Sequence, residues 1–450
     1  MRFAAHFAKW ILERTPTSVQ FAGWIPGSLR KLAEQIDAQI QLWAIETVAR
    51  LPLKELEELQ SKKLSRIIWH AIRTVPYWHH WGTKLAWRES FIEEFRRLPI
   101  HSRGDLRIIP RKYLSAVNIS QERFIAKTTS GSTGEPFFFY QDRAQDPRRL
   151  ANIFFEFKLQ NSVLQKPILI IGIAAHTWLD LLGWRFPTLD IEDAEKRKEL
   201  YRFMNTEHPQ HMIGTPSLLK RLAEVLILDS QPAPKFKAIQ YTGELFPENQ
   251  KKSLEEFFGC RIFGQYGSQE CSRIGIECIE GNFHTCPWLN YIEIIDDNGK
   301  TLPTGQSGRI VVTFFENQVM PFIRYELGDR GSLSNERCSC GLTTAVIHFS
   351  GRKPDSIVTL SGKTIALLTI TTQITNRFTN EIRHLQLEQT SPSHIVFRFV
   401  AASLMNEEKE RELRAFINQI GDHELGWSIK AVEAIPPNES GKTPIFIKSF

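Results

Sequence analysis

Six short segments carry residue types that can do chemistry. The first is Thr128-Thr129-Ser130-Gly131-Ser132-Thr133-Gly134-Glu135-Pro136. Glycines admit a ligand close to the backbone, and inward-facing amides and hydroxyls cradle phosphate oxygens. It is not a Walker loop, because it lacks the Gly-Lys-Ser/Thr ending, and a surface turn has the same composition. The second, Tyr241-Thr242-Gly243-Glu244, ends a strand-like run, where α/β sheets bind ligands. In the third, Gln265-Tyr266-Gly267-Ser268-Gln269-Glu270, Gly267 lets a ligand press on the backbone and Tyr266 offers a flat face. Glu270 offers a hard oxygen for Mg²⁺. The fourth, Arg324-Tyr325-Glu326-Leu327-Gly328-Asp329, sets a carboxylate where it can accept both hydroxyls of a ribose; a loop salt-bridged through Arg324 or Arg330 fits equally. The fifth, Gly351-Arg352-Lys353-Pro354-Asp355, lies where the chain changes domain, and Pro436 to Lys442 closes the series. Lys442 taken alone reads as a solvated charge.

The six cysteines all lie between Cys260 and Cys340. Cys278 and His284 share one loop region and Cys338-Ser339-Cys340-Gly341 forms another. Three cysteines and a histidine make a closed tetrahedral zinc site, with Cys286 the substitute if His284 is not a ligand. The alternative is a set of reduced, buried thiols.

These segments need a scaffold. At 450 residues and 42% apolar, the chain has material for one large domain and a smaller one. A net charge of +6 without a basic run gives no sign of nucleic-acid binding. No stretch resembles a signal peptide or a membrane span, so a cytoplasmic location is expected. The Phe/Trp/Arg-rich start, Met1 to Trp24, reads either as an amphipathic helix packed on the main domain or as one resting on a membrane surface.

Helical spacing of Leu56, Leu59, Leu64, Ile67, Ile68 and Ala71 predicts a helix over Leu53 to Ile72, ended by Pro76. Strands are expected at Lys166 to Ala174, Ala238 to Tyr241 and Arg261 to Gln265. They alternate with a helix capped by Thr215 and another over Pro247 to Phe258, closed by Gly259. Antiparallel strands follow at Tyr291 to Ile295 and Arg309 to Phe315 around the turn Asp297-Asn298-Gly299. Beyond Arg352 a small α+β unit is expected, with helices at Ala366 to Phe378 and Glu407 to Ile420 and strands at Leu385 to Glu388, Ile395 to Val400 and near Ile429. The fold class is therefore α/β. A large N-terminal domain of parallel and mixed sheets with helices and an antiparallel subdomain is joined by a hinge to a small C-terminal α+β domain. The divisions are residues 1–100 (helical, packed on the large domain), 101–351 and 352–450.

Taken together, the order and spacing of the motifs resemble the adenylate-forming superfamily of acyl-CoA synthetases, adenylation domains and luciferases. Val75-Pro76-Tyr77-Trp78, Gly214-Thr215-Pro216-Ser217 and the Gly441-Lys442 ending resemble its phenylacetate–CoA ligase and CapK-like branch. The resemblance runs from about Leu53 to Lys442; the first fifty residues have no counterpart. It implies ATP-dependent activation of a small carboxylic acid as an acyl-adenylate, followed by transfer to coenzyme A. Thr129, Ser130, Gly131, Ser132, Thr133 and Gly134 would hold the ATP phosphates. Gly243 and Glu244 would lie along the adenine, with Tyr266 and Gly267 beside it. Asp329, helped by Arg352, would grip the ribose. Glu270 would bind Mg²⁺, and Lys442 would touch both the attacking carboxylate and the α-phosphate; with Thr133 these are the catalytic groups. Tyr140, Gly214, Gly243 and Tyr266 would border the acid. The Cys-Ser-Cys-Gly element resembles that of zinc-bearing members, giving Cys278, His284, Cys338 and Cys340 as structural zinc ligands.

Three departures bear on this. Glu135 follows the phosphate loop where lysine is frequent. Gln269 replaces a threonine before Glu270. Pro354 stands in the hinge where an aspartate is frequent, which weakens the expectation of the CoA step relative to adenylation. The competing readings are transfer to an amine, hydroxyl or carrier protein, and a degenerate nucleotide-binding scaffold. Self-association into a homodimer stays open.

Overall fold

A computed structural model describes residues 2–14, 27–84, 91–129, 137–164, 168–171, 191, 194–244, 246–352, 356–358, 364–366, 370–371, 374, 377–378, 381–402, 405–419, 425–435 and 445–449. The chain divides into two compact units. The larger comprises Met1–Thr129, Phe137–Glu244 and Leu254–Ser350, and the smaller is chiefly Gly351–Phe450.

The larger unit opens with helices α1 (Arg2–Glu13), α2 (Gly27–Val48) and α3 (Leu53–Thr74). α3 buries the six apolar residues that predicted it. Val75 leaves the helix in an extended conformation, as a residue before proline must. Pro76 does more than end α3: it occupies the first turn of a further helix, Pro76–Gly82, where its missing N–H has no partner to lose.

Strands β1 (Phe124–Thr129) and β2 (Phe137–Asp142) form an antiparallel pair in register from Phe124 opposite Asp142 to Thr129 opposite Phe137. Alternation holds in β2: Phe137 and Phe139 are core, Phe138 is exposed and Tyr140 half-buried.

Among the described residues the main sheet has ten strands. β3 (Ile168–Ile170), β4 (His211–Gly214), β5 (Ala238–Thr242) and β6 (Arg261–Ser268) run parallel. β7 (Ser272–Glu277) then turns back from β6 antiparallel. β8 (Phe283–Thr285), β9 (Asn290–Ile295), β10 (Gly308–Phe314), β11 (Tyr325–Ser334) and β12 (Val346–Arg352) complete the order β3-β4-β5-β6-β7-β8-β12-β11-β10-β9. The antiparallel part expected as a subdomain is thus continuous with the parallel sheet. β4, β7, β8 and β12 were not anticipated, and the motif around Asp329, expected as a loop, lies mostly on β11. Both short, fully buried strands, β3 and β4, are uniformly apolar or histidine-led, which masks any period of two.

The smaller unit holds a four-stranded sheet of β15 (Ile382–Ser391), β16 (His394–Ala401), β17 (Gly426–Ala431) and β18 (Phe446–Lys448), in the order β17-β16-β15-β18. β13 (Ser356–Val358) and β14 (Thr364–Ala366) pair separately. Ala366 closes a strand instead of opening a helix. The helix Glu407–Gln419 buries Leu413 and Ile417 against Leu387, Phe397 and Phe399.

Candidate functional site

The parallel strands bring three motifs side by side. Register sets Gly214 opposite Tyr241 and Thr242 opposite Gln265, so Gly214, Gly243 and Tyr266 lie at the carboxyl ends of adjacent strands. Thr242 Oγ1 donates to Gln265 Oε1 at 2.8 Å. Gly243 has φ +85°, a left-handed conformation that favours glycine. The Glu244 carboxylate accepts from the Ser217 amide at 3.0 Å and its hydroxyl at 2.9 Å. It therefore caps the helix Pro216–Leu228, whose N-terminus welcomes negative charge. Thr215, the expected cap, makes no side-chain capping bond; its hydroxyl lies 3.2 Å from that of Ser217.

Two hydrogen bonds join the third and fourth motifs. The Tyr266 hydroxyl donates to Asp329 Oδ2 at 2.7 Å, and the Tyr325 hydroxyl donates to Glu270 Oε1 at 2.8 Å. The stretches 266–270 and 325–329 therefore face each other in opposite directions, although β6 and β11 are not neighbours in the sheet. Phe349 packs on the Tyr266 ring with centroids 4.3 Å apart. Glu270 is buried, and its Oε1 also receives Arg103 Nη2 at 3.3 Å. Burial, reinforced by the charge of Glu270, holds the Tyr325 hydroxyl well above its ordinary pKa, so it stays a donor.

Arg103 and Tyr325 were not singled out from the sequence. Arg103 begins a short helix, Arg103–Arg107, whose start is fixed by a capping box between Ser102 and Asp105; the Ser-x-x-Asp spacing was a readable signal. The His101 amide donates to the Arg324 carbonyl at 3.1 Å, and the His101 carbonyl accepts from the Glu326 amide at 2.8 Å. This lays the segment along β11. The Val75-Pro76-Tyr77-Trp78 motif supports it: the Tyr77 hydroxyl lies 2.6 Å from His101 Nε2 and the Trp78 ring meets His101 edge-on. Arg324 does form a buried ion pair, but with Glu293 at 3.0 Å and not with a carboxylate of its own motif.

Gly267 has a structural explanation. A Cβ there would stand 2.1 Å from the Ser272 carbonyl oxygen, at the irregular β6–β7 pairing. The close approach comes from the hairpin itself. Tyr140 packs edge-on against Phe124 and lies beneath Arg111, 5.5 Å from its guanidinium, and both Tyr140 and Tyr266 border the same hydrophobic core. Thr129 ends β1 and Arg352 ends β12. Ser130, Gly131, Ser132, Thr133, Gly134 and Lys442 lie outside the described residues.

The second cluster is compact. One donor atom from each of Cys278, His284, Cys338 and Cys340 lies within 4.8 Å of all the others. Cys278 follows β7, His284 is on β8, and the other two precede β12, which pairs with β8 at Val346 opposite His284. Turns with Gly281 and Gly341 at φ +82° shape both stretches. The Cys278 and Cys338 sulfurs are 3.8 Å apart, and Cys340 Sγ is 3.4 Å from His284 Nε2. A tetrahedral ion with bonds of about 2.3 Å to sulfur and 2.0 Å to nitrogen has ligand–ligand edges of about 3.8 and 3.5 Å, so the donor set fits. His284 Nδ1 lies 3.0 Å from the Thr344 carbonyl, which fixes the tautomer and turns Nε2 to the sulfurs. Burial lowers the His284 pKa against that hydrogen bond. Burial raises Cys278 and pushes Cys340 up to about 12. At Cys338 burial is outweighed by hydrogen bonds, chiefly from the Cys340 backbone and Asn282, and its pKa is lowered. Cys286, the substitute ligand, instead packs in the core with Trp288.

A family model for the AMP-binding enzymes matches residues 175–321. The phenylacetate-coenzyme A ligase of Thermus thermophilus is 24% identical over 328 residues, covering 68% of this chain and 73% of that protein. Protein CapK of Staphylococcus aureus is 24% identical over 266 residues, covering 56% and 57%. Among solved structures, a 2-hydroxyisobutyryl-CoA ligase in complex with an acyl-AMP superposes with a TM-score of 0.71 at 20% identity, covering 89% of this chain and 90% of that one. The superfamily and branch recognised in the motifs are those of these relatives.

Proposed function

We propose that this chain, an AMP-binding enzyme of the phenylacetate–CoA ligase and CapK branch, joins a carboxylic acid to ATP as an acyl-adenylate and passes the acyl group to coenzyme A. A carboxylate oxygen attacks the α-phosphorus, and the bond to pyrophosphate breaks. The thiol sulfur of CoA then attacks the acyl carbon, AMP departs on its phosphate oxygen, and the thiol proton is lost. The observation that most supports this reading is the pair of hydrogen bonds from Tyr266 to Asp329 and from Tyr325 to Glu270, which sets two carboxylates needed for one nucleotide on facing segments.

In this reading Asp329, oriented by the Tyr266 hydroxyl, accepts the ribose hydroxyls, with Arg352 beside it. Gly243 and the Glu244 backbone border the adenine, since the Glu244 carboxylate is engaged at the helix Pro216–Leu228. Residues 129–134, with Thr133 nearest the chemistry, hold the phosphates. Glu270, its carboxylate fixed by Arg103 and Tyr325, would hold Mg²⁺, which when bound would supply positive charge to the phosphate oxygens. Lys442 supplies a point charge to the attacking carboxylate and the α-phosphate. A hinge near Arg352–Asp355 carries it between half-reactions. The aromatic Tyr140 and Tyr266 favour an aryl or other apolar acid. Transfer to an amine, hydroxyl or carrier protein is the second reading, favoured by Pro354 in the hinge.

ATP–pyrophosphate exchange over aryl, fatty and amino acids, with and without CoA, tests both. Exchange with an apolar acid and an acyl-CoA product are expected. Exchange without any CoA product selects the second reading, and no exchange across the panel rejects both.

For the second cluster we infer a structural Zn²⁺ held by Cys278, His284, Cys338 and Cys340, tying β7 and β8 to the segment before β12. About one zinc per chain is expected by elemental analysis of protein purified without chelator. A metal-free, fully folded sample would reject it.

A further inference from the structure

The first two helices expose what helices on a soluble protein ordinarily bury. α1 seats Ala8, Ile11 and Leu12 in the core, yet turns Phe3, Phe7 and Trp10 outward; Phe3 is 84% exposed and Trp10 48%. α2 adds Ile36, Ile40 and Trp43 on its exposed side. Phe7 stacks on Phe3 and Trp10 at 6.3 and 5.7 Å and meets Trp43 at 5.9 Å, so the two helices form one patch. Among the described residues, no exposed position on either helix is a carboxylate: Glu34 and Asp37 are buried, and Glu13 and Glu46 are partly covered. α3 differs, exposing Lys54, Glu57, Glu58, Lys62 and Arg66. A contiguous apolar patch of this kind marks an interaction surface.

The patch adjoins positive charge. Lys62, Arg66 and Arg73 recur along one face of α3 and, with the imidazole of His70, line an open groove of about 760 Å³, in which Glu13, 3.6 Å from Lys62 Nζ, is the sole carboxylate among the described residues. Arg14 connects the two features. Its guanidinium lies 4.5 Å from the Trp10 ring, and it lines the pocket that shares Glu13, Arg66 and His70 with the groove.

We propose that the aromatic face of α1 and α2, with the cationic groove of α3, is a docking surface for an anionic phospholipid bilayer. Phenylalanine and tryptophan enter the headgroup boundary while neighbouring cations meet lipid phosphates. Attachment is peripheral, as no described helix is long and apolar enough to cross a membrane. Charge argues against a second copy as the occupant. A two-fold contact through this face sets each copy's face against itself, bringing two cationic grooves together.

The test is co-sedimentation of the full chain with vesicles of phosphatidylcholine alone or containing roughly a third phosphatidylglycerol, at low and high salt. The wild type is expected to bind the anionic vesicles at least about twenty-fivefold more tightly, and less so at high salt. Each cation near such a surface contributes about fivefold, so Arg66→Gln with Arg73→Gln weakens binding to anionic vesicles about twenty-fivefold and leaves neutral vesicles unaffected. Phe7→Ser with Trp10→Ser weakens binding to both. All four positions are solvent-facing or line the open groove, and circular dichroism verifies the fold of each variant. Absence of binding to anionic vesicles, or binding that neither variant reduces, overturns the proposal. So does a wild-type dimer that Phe7→Ser with Trp10→Ser converts to monomer, because a second copy would then own the face.

Discussion

The Cys/His cluster and the strand-end site are built on the same sheet in different ways. The cluster draws four side chains from two short stretches, 278–284 and 338–341, each bent by a left-handed glycine, and its donor atoms already lie within 4.8 Å. The strand-end site draws on residues from Gly214 to Asp329, and its acidic groups meet protein donors: Tyr266 on Asp329, Tyr325 and Arg103 on Glu270, Ser217 on Glu244. Sequence-local ligands with matched spacing are the mark of a site that holds the fold. Distant residues, oriented by partners of their own, are the mark of a site that does chemistry on something that arrives. The two should therefore fail differently, one in stability and the other in rate.

The largest effect is expected at the cluster. Structural zinc binding is worth about 10 kcal/mol in small domains that fold around it. Cys338→Ser with Cys340→Ser is expected to abolish the zinc content and lower the melting temperature more than any other change considered, while residual folded protein still adenylates. Thermal denaturation beside elemental analysis and exchange assays reads this. A variant with unchanged melting temperature would erase the contrast.

Lys442→Ala should behave in the opposite way. Loss of a charge aimed at the transition state costs on the order of 10³ in rate, about 4 kcal/mol. Exchange is expected to disappear with melting temperature and ATP binding intact. Full exchange in this variant would remove Lys442 from the mechanism.

Gly267 sharpens the comparison because it lies in the strand-end motif and yet serves the fold. Alanine would drive a Cβ to 2.1 Å from a backbone oxygen, and such overpacking costs about 3 kcal/mol. Gly267→Ala is expected to lose stability in chemical denaturation and to keep its ATP KM at temperatures where it is folded. A raised KM without lost stability would return Gly267 to the ligand.

The same distinction governs what could be read in advance. The α3 helix, the β5–β6 pair and the β15–β16 pair were legible because apolar spacing or alternation marks them. β4 and β7 were not, being buried along their whole length and so without alternation. The cluster was legible because thiols and imidazole at loop positions have few other uses together. The partners of the strand-end carboxylates were not. Arg103 precedes Glu270 by 167 residues, and Tyr325 was quoted within a motif whose interest was assigned to Asp329. Hydrogen bonds between distant segments leave no local pattern; only topology brings them together. Gly267 poses a related ambiguity: from sequence, a glycine that admits a ligand and one that admits a neighbouring strand are the same residue.

Tyr266→Phe carries the smallest expected effect and tests the comparison most finely. The ring keeps its packing on Phe349, so the fold should be unmoved. What is lost is one hydrogen bond to the Asp329 carboxylate, worth about 1.5 kcal/mol. If that bond only orients Asp329 toward a ribose, ground state and transition state lose it equally. The KM for ATP then rises about tenfold while kcat stands. Steady-state kinetics separates this from the alternatives. A fall in melting temperature with unchanged KM would make the Tyr266–Asp329 bond part of the scaffold, like the turns around the cysteines. A fall in kcat at constant KM would mean that the pair acts on the reacting phosphate and not on the sugar.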